Sequence, residues 1–334
     1  MDKNGLSWYS NKHMRFRAFI ILLLCATGAL ADVPGRQPAR PKANRGEING
    51  IFEQAKAILF DPNNSNVTTV PTAVEACTKQ GHVGALCLWL DILEGKFKGL
   101  PADLTKARED AKKYSRASAE FSPAFRAEAC YRLALYQERG IGGKKDPEEA
   151  YHNMRIAGSL QLDKAIVEQG RYLMQGIGHR RDTRRAWKYL HSVAIRAPRT
   201  PNVFYYMGVL CYKGYGKKPD YRKAIRVFHM GARVGDANCI NNLATMYERG
   251  IATRRDEETA LYLYRKAAGL GNREASANMQ RLAFKVDKKA DKSTKRSAVT
   301  RVRNAAGRVI LALPFSAYSR SRIRAWILGH EQNS

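Results

Sequence analysis

Apolar residues recur along this chain in short stretches that read as helices, each stopped by a glycine: LWLDILEG, LALYQERG, QGRYLMQG, MGVLCYKG and LATMYERG. A glycine there can take the left-handed conformation that closes a helix without a side-chain clash. The residues just after each glycine also repeat. The copies are GIGGKKD from Gly140, GIGHRRD from Gly176, GYGKKPD from Gly214 and GIATRRD from Gly250, and their glycines lie 36, 38 and 36 residues apart. Spacing that regular marks a repeat architecture. A looser copy, EGKFKGLPAD, places Gly95 45 residues before Gly140, with Asp103 after a two-residue insertion.

The aspartates Asp146, Asp182, Asp220 and Asp256 each stand six residues after their glycine. A carboxylate there can accept the unpaired amide hydrogens of the next helix's first turn, and Pro147 sits where a missing amide hydrogen costs nothing. Four residues further come Ala107, Ala150, Ala186, Ala224 and Ala260, small enough to let two helices approach closely. Bulky residues such as Tyr189, Phe228 and Tyr264 continue the second helix. One such hairpin has two apolar faces and cannot cover both, whereas stacking on neighbours can. The expectation is therefore an all-α fold: an α-solenoid of about five helix-turn-helix repeats over residues 72–283, behind an N-terminal cap segment at 51–71.

The stretch LATMYERGIATRRDEETALYLYRKAAGLGNREA resembles the Sel-one-like repeat family, relatives of the tetratricopeptide repeats, with Leu243, Tyr247, Gly250, Asp256, Ala260, Tyr264, Ala267, Ala268, Gly271 and Ala275 at matching positions. Departures are Gln169, Cys211 and an altered turn at Pro198 and Pro201. The resemblance implies a right-handed solenoid acting as a scaffold or adaptor, with first helices lining its inner face. Tyr131, Tyr172, Tyr205, Tyr206 and Tyr212 are then candidate partner contacts, each with core as its competing role. The resemblance also nominates a disulfide between Cys77 and Cys87, at a looser spacing than in exported relatives, while Cys130, Cys211 and Cys239 read as buried small apolar residues.

Charge adds a second theme. The 334 residues hold 58 lysines and arginines against 30 acidic residues, a formal charge of +28. Part of the excess sits in the repeats, as the pairs Lys144-Lys145, Arg180-Arg181, Lys217-Lys218 and Arg254-Arg255. Stacked in register these would form a basic stripe suited to an elongated polyanion. The bland alternative, that a wet turn simply tolerates cations, stays open. Residues 284–334 form a basic tail in which Val299, Val302, Ala306, Val309 and Leu313 recur at helical spacing. Such a helix can lie on an anionic membrane surface or cap the last hairpin, and the sequence leaves both open.

At the other end, Met14, Arg15 and Arg17 precede an apolar run from Ala18 to Ala31, shorter than the ~20 residues of a membrane-crossing helix. Residues 1–31 read as a cleavable signal peptide with Asp32 as the first mature residue, followed by a Pro/Arg-rich linker at 32–50. A periplasmic or secreted location is expected, which argues against nucleic acid as a partner. The seven histidines show no metal-binding spacing, and no phosphate-cradling loop or nucleophile elbow occurs. Neither catalysis nor a cofactor is expected. The leading expectation is a non-enzymatic scaffold of the bacterial envelope or secreted space that holds a protein or peptide on its inner face. The alternative is an electrostatic binder of anionic envelope polymers or membrane surface.

Overall fold

The computed structural model describes residues 44–60, 67–117, 120–215 and 218–290. Among them there are thirteen α-helices and no strand. The chain divides into two compact units, parted after Leu162. The first holds α1 (Arg45–Phe60), α2 (Val70–Lys79), α3 (Val83–Leu93), α4 (Leu104–Arg116), α5 (Pro123–Arg139) and α6 (Pro147–Ser159). The second holds α7 (Asp163–Gln175), α8 (Thr183–Arg196), α9 (Val203–Lys213), α10 (Tyr221–Arg233), α11 (Ala237–Arg249), α12 (Glu257–Gly269) and α13 (Arg273–Ala290). The signal segment, the linker as far as residue 43 and the tail beyond residue 290 lie outside the described residues.

The recurring glycine and aspartate build the same corner each time. Gly140, Gly176, Gly214 and Gly250 take φ between +69° and +77° and end α5, α7, α9 and α11. The chain then turns back, and the aspartate amide donates to a carbonyl in the last turns of the helix just left: Asp146 to Gln137, Asp182 to Leu173, Asp220 to Cys211 and Asp256 to Tyr247, all at 2.9 Å. The looser copy does likewise, with Asp103 N donating to Leu93 O. Each Asp Oδ1 meanwhile accepts the amide three residues on, in Lys106, Glu149, Arg185, Lys223 and Thr259, at 2.8–3.0 Å. One residue thus clamps the outgoing helix with its main chain and starts the incoming one with its side chain. Asp182→Ala is expected to cost about 1 kcal/mol in urea unfolding, whereas Asp182→Asn, which keeps an acceptor oxygen, is expected to cost only a few tenths.

Small residues set how closely the helices pack. Ala107, Ala150, Ala186, Ala224 and Ala260 are all fully buried. Three glycines serve the same end, since a Cβ on Gly170 would reach 2.7 Å from Leu190, on Gly208 2.3 Å from the Phe228 ring, and on Gly231 2.2 Å from Cys239 Sγ. Within the four tight hairpins, α5–α6, α7–α8, α9–α10 and α11–α12, the two helices pack along their length, whereas α3 and α4 touch more sparsely; first helices also meet their counterparts in the next repeat: α3 with α5, α7 with α9, and α9 with α11.

Two sequence expectations need correction. Residues 45–50, assigned to an extended linker, open α1, which packs on α2 and buries Ile48 and Ala55. Gly46 and Gly50 make this stretch read as coil, but burying one apolar stripe decides the matter. The Cys77–Cys87 bridge is not formed in the structure. The Cys77 thiol instead points at the Ile48 carbonyl oxygen, 3.7 Å away, beneath the helix that the linker reading omits. Burial pushes the Cys77, Cys130 and Cys211 thiols up to about 11, so all three are protonated at neutral pH. Cys130 and Cys239 are fully buried, as small apolar residues should be.

Candidate functional site

The first helices of the second unit carry a cluster that unites several nominated side chains. On α9, Tyr205, Val209 and Tyr212 follow one another at i, i+4 and i+7, so they share a face. On α11, Asn238, Asn241 and Asn242, at i, i+3 and i+4, also share a face. With Glu274 from α13 and Lys213, they enclose a recess of about 220 Å³ over the Phe228 ring of α10. Phe228 is 1% exposed and forms an apolar floor. Tyr205 and Tyr212 are half-buried walls, and Tyr212 meets Tyr221 edge-on with centroids 5.2 Å apart. Burial raises the Tyr205 hydroxyl above its ordinary pKa, and the Glu274 carboxylate raises it further.

The asparagines also tie the repeats together. Asn238 Nδ2 donates to Asn202 Oδ1 at 3.1 Å, Asn272 Nδ2 to Asn238 Oδ1 at 2.9 Å, and Asn278 Nδ2 to Asn241 Oδ1 at 3.2 Å. This ladder links α9, α11 and α13 and holds the recess walls in fixed register. It begins at the altered turn, where Asn202 adopts φ +62° after Pro201 and presents its carboxamide to the next repeat rather than capping its own helix. Asn242 Nδ2 donates to the Asn238 carbonyl at 2.8 Å. The Asn242 side-chain oxygen receives no donor among the described residues and remains available to a ligand N–H. Sequence reasoning missed these residues; the signal was asparagine returning at 202, 238 and 272, nearly the repeat length.

The five nominated tyrosines separate by burial. Tyr205 and Tyr212 stand in the recess. Tyr172 is fully buried and Tyr206 91% buried, its hydroxyl 3.4 Å from Glu168, so both belong to the core and offer a partner no surface. Tyr131 is half-buried on α5, in the other unit. A face of a solenoid helix holds core and surface positions one residue apart, and aromatic character alone does not tell them apart.

The basic corners behave unevenly. Lys144 and Lys145 are exposed in the first unit, and Arg180, Arg181, Lys218, Arg254 and Arg255 in the second, while Lys217 lies outside the described residues. The Arg181 guanidinium lies 5.3 Å from the ring centroid of Tyr215, so these two consecutive corners of the second unit touch. At the next corner the charge is offset: Arg254 and Arg255 border an open depression with Asp256, Glu257 and Glu258, and Arg255 pairs with Glu257. Among the described residues no cluster of histidine, cysteine or carboxylate could hold a metal ion, and no helix is long and apolar enough to cross a membrane.

Comparison with known families fits this geometry. The Sel1 repeat model matches residues 127–162, 165–194, 205–236 and 237–272. Residues 127–272 thus carry four Sel1 repeats, and the described residues fold as an all-α solenoid of helical repeats. Sel1 repeats generally mediate protein–protein interaction and typically form non-catalytic scaffolds. Among solved structures, the chain is similar to a Sel1 repeat protein from Oxalobacter formigenes, with a TM-score of 0.56 at 20% identity, covering 83% of this chain and 100% of that one. It is also similar to a protective antigen of uropathogenic Escherichia coli strains that displays an SLR fold, with a TM-score of 0.50 at 22% identity, over 71% of this chain and 51% of that one. No curated protein matches the chain.

Proposed function

We propose that this protein is a non-catalytic adaptor that seats a peptide segment of a partner protein on the first helices of its second unit, centred on the recess between Tyr205, Tyr212 and Asn242. The observation that carries the reading is the recess itself: two half-buried aromatic walls, a buried Phe228 floor and a carboxamide oxygen left without a donor. Aromatic rings supply contact area at low entropic cost, and carboxamides suit the peptide backbone. The ladder fixes their spacing before any partner arrives, which lowers the ordering cost of binding.

Peptides selected from a random library on the full chain test this. Tyr212→Ala and Asn242→Ala are expected to weaken the selected peptides about tenfold or more, and Arg222→Ala on α10 to leave them unchanged. Binding should persist at high salt, because the contacts are mainly apolar and short-range. Peptides insensitive to both recess substitutions, or lost at moderate ionic strength, would place recognition on the basic surface instead. We further propose that the protein acts outside the cytoplasm, on the strength of the basic start and apolar run before Asp32. N-terminal sequencing of the mature protein should begin at Asp32, and an intact Met1 or Met14 would contradict export by cleavage.

A further inference from the structure

We infer that the recess selects for a cationic side chain, an arginine or lysine of the bound peptide, with Glu274 as its counter-ion. This inference rests on the peptide-binding reading above and adds the chemistry of what enters. A volume of about 220 Å³ falls below the roughly 300 Å³ at which pockets for drug-sized ligands begin. It is room for one long side chain. Val209, half-buried above the covered Phe228 ring, offers apolar surface to a methylene stem, as long charged side chains require. The Tyr205 and Tyr212 rings offer π faces to a charged head.

Charge decides between a cation and an anion. Glu274 is exposed at the recess, and no hydrogen bond or ion pair occupies its carboxylate among the described residues. Lys213, the one cation among the lining residues, holds its ammonium against the Tyr215 ring, 5.8 Å from the centroid. The Glu274 and Asp236 carboxylates both act on the Tyr205 hydroxyl. Within a chain of formal charge +28 the recess is thus formally neutral, with Lys213 drawn to the Tyr215 ring and the Glu274 carboxylate left open to a cation. The net positive charge of the chain disfavours basic peptides at large, so a carboxylate open to a single cation adds attraction to general rejection, a combination that sharpens choice.

The test uses the full chain and four blocked, alanine-rich heptapeptides identical except for a central Arg, Lys, Gln or Glu, with affinities measured by calorimetry at low and high salt. The Arg or Lys peptide is expected to bind about tenfold tighter than the Gln peptide, the size of one charge-assisted hydrogen bond, and the Glu peptide weakest. Glu274→Gln should erase the Arg-over-Gln preference while leaving the thermal midpoint as it was, since Glu274 has no partner among the described residues. Equal affinities for all four peptides, or a preference that survives Glu274→Gln, would overturn the cation assignment and leave the peptide reading standing. Binding of none of the four, together with no effect of Tyr212→Ala on library-selected peptides, would overturn both. Ethylguanidinium alone binding as tightly as the Arg peptide would overturn the assignment to a peptide side chain.

Discussion

Arg132→Leu is expected to destabilise the first unit by about 3–5 kcal/mol, the largest single effect in the molecule. Arg132 lies on α5 with its side chain 15% exposed, and its guanidinium faces three carboxylates: Asp91 at 2.8 Å, Glu94 at 3.1 Å and Glu128 at 3.4 Å. Glu94 also accepts the Tyr136 hydroxyl at 2.6 Å, and Lys96 reaches Asp91 and Glu94 from outside. Leucine would fill much of the volume but leave three carboxylates crowded around an apolar group. Urea midpoints at neutral pH, monitored by circular dichroism, measure this. A variant as stable as the parent at neutral pH would show that the cluster is exposed and inert.

Gly208→Val comes second. The α9 backbone lies so close to α10 that a bare Cβ would stand 2.3 Å from the Phe228 ring. Phe228 is 1% exposed and has little freedom to yield. Overpacking of this kind costs about 1–3 kcal/mol and occasionally more. Gly269 supplies the control, because nothing stands within 4 Å of a Cβ built there, near the end of α12. Gly269→Ala should stabilise by about 0.5–1 kcal/mol through helix propensity alone. Thermal unfolding of the two variants side by side separates packing from propensity. Because Phe228 also floors the recess, Gly208→Val should weaken peptide binding as well as stability.

A third consequence is acid sensitivity in the second unit. Arg281 grips Glu248 with two hydrogen bonds of 2.7 Å each, and the Tyr264 hydroxyl donates to the same carboxylate at 2.9 Å. The hydrogen bonds from Arg281 hold the Glu248 carboxyl below its ordinary pKa. A depressed carboxyl contributes its stability above the unfolded pKa, about 4.3, and loses it as pH falls through the folded value. Arg281 is half exposed, so solvent screens the pair and the contribution should be modest. Glu248→Gln should flatten the decline of the urea midpoint below about pH 4.3; an unchanged slope would assign the acid response to other groups.

The corners are readable from the chain because each rests on one residue type doing one backbone job. Glycine at positive φ and aspartate at a helix start have few substitutes, so Gly176 and Asp182 announce their roles at fixed spacing. α1 is hidden because its helix depends on burying Ile48 and Ala55 against α2, a tertiary effect that overrides two glycines. Tyr172 and Tyr205 are both aromatic first-helix residues, yet one is core and the other a wall, since the outcome depends on which neighbour the next repeat presents. The asparagine ladder is equally hard to foresee. Carboxamides favour turns and caps by local bonding, and only the packing of first helices on one another turns Asn238 into a rung between Asn202 and Asn272.

The aspartate at each corner commits its carboxylate to amide hydrogens and its own N–H to a main-chain carbonyl, so the bend is secured through the backbone. Exposed side chains strung between glycine and aspartate, such as Arg180, take no part in that bend and can be rewritten, even where a neighbour such as Arg181 rests on the Tyr215 ring. A foreign epitope, or a string of neutral residues, inserted between Gly176 and Asp182 should leave the hairpin intact, which makes this protein a natural host for grafted loops.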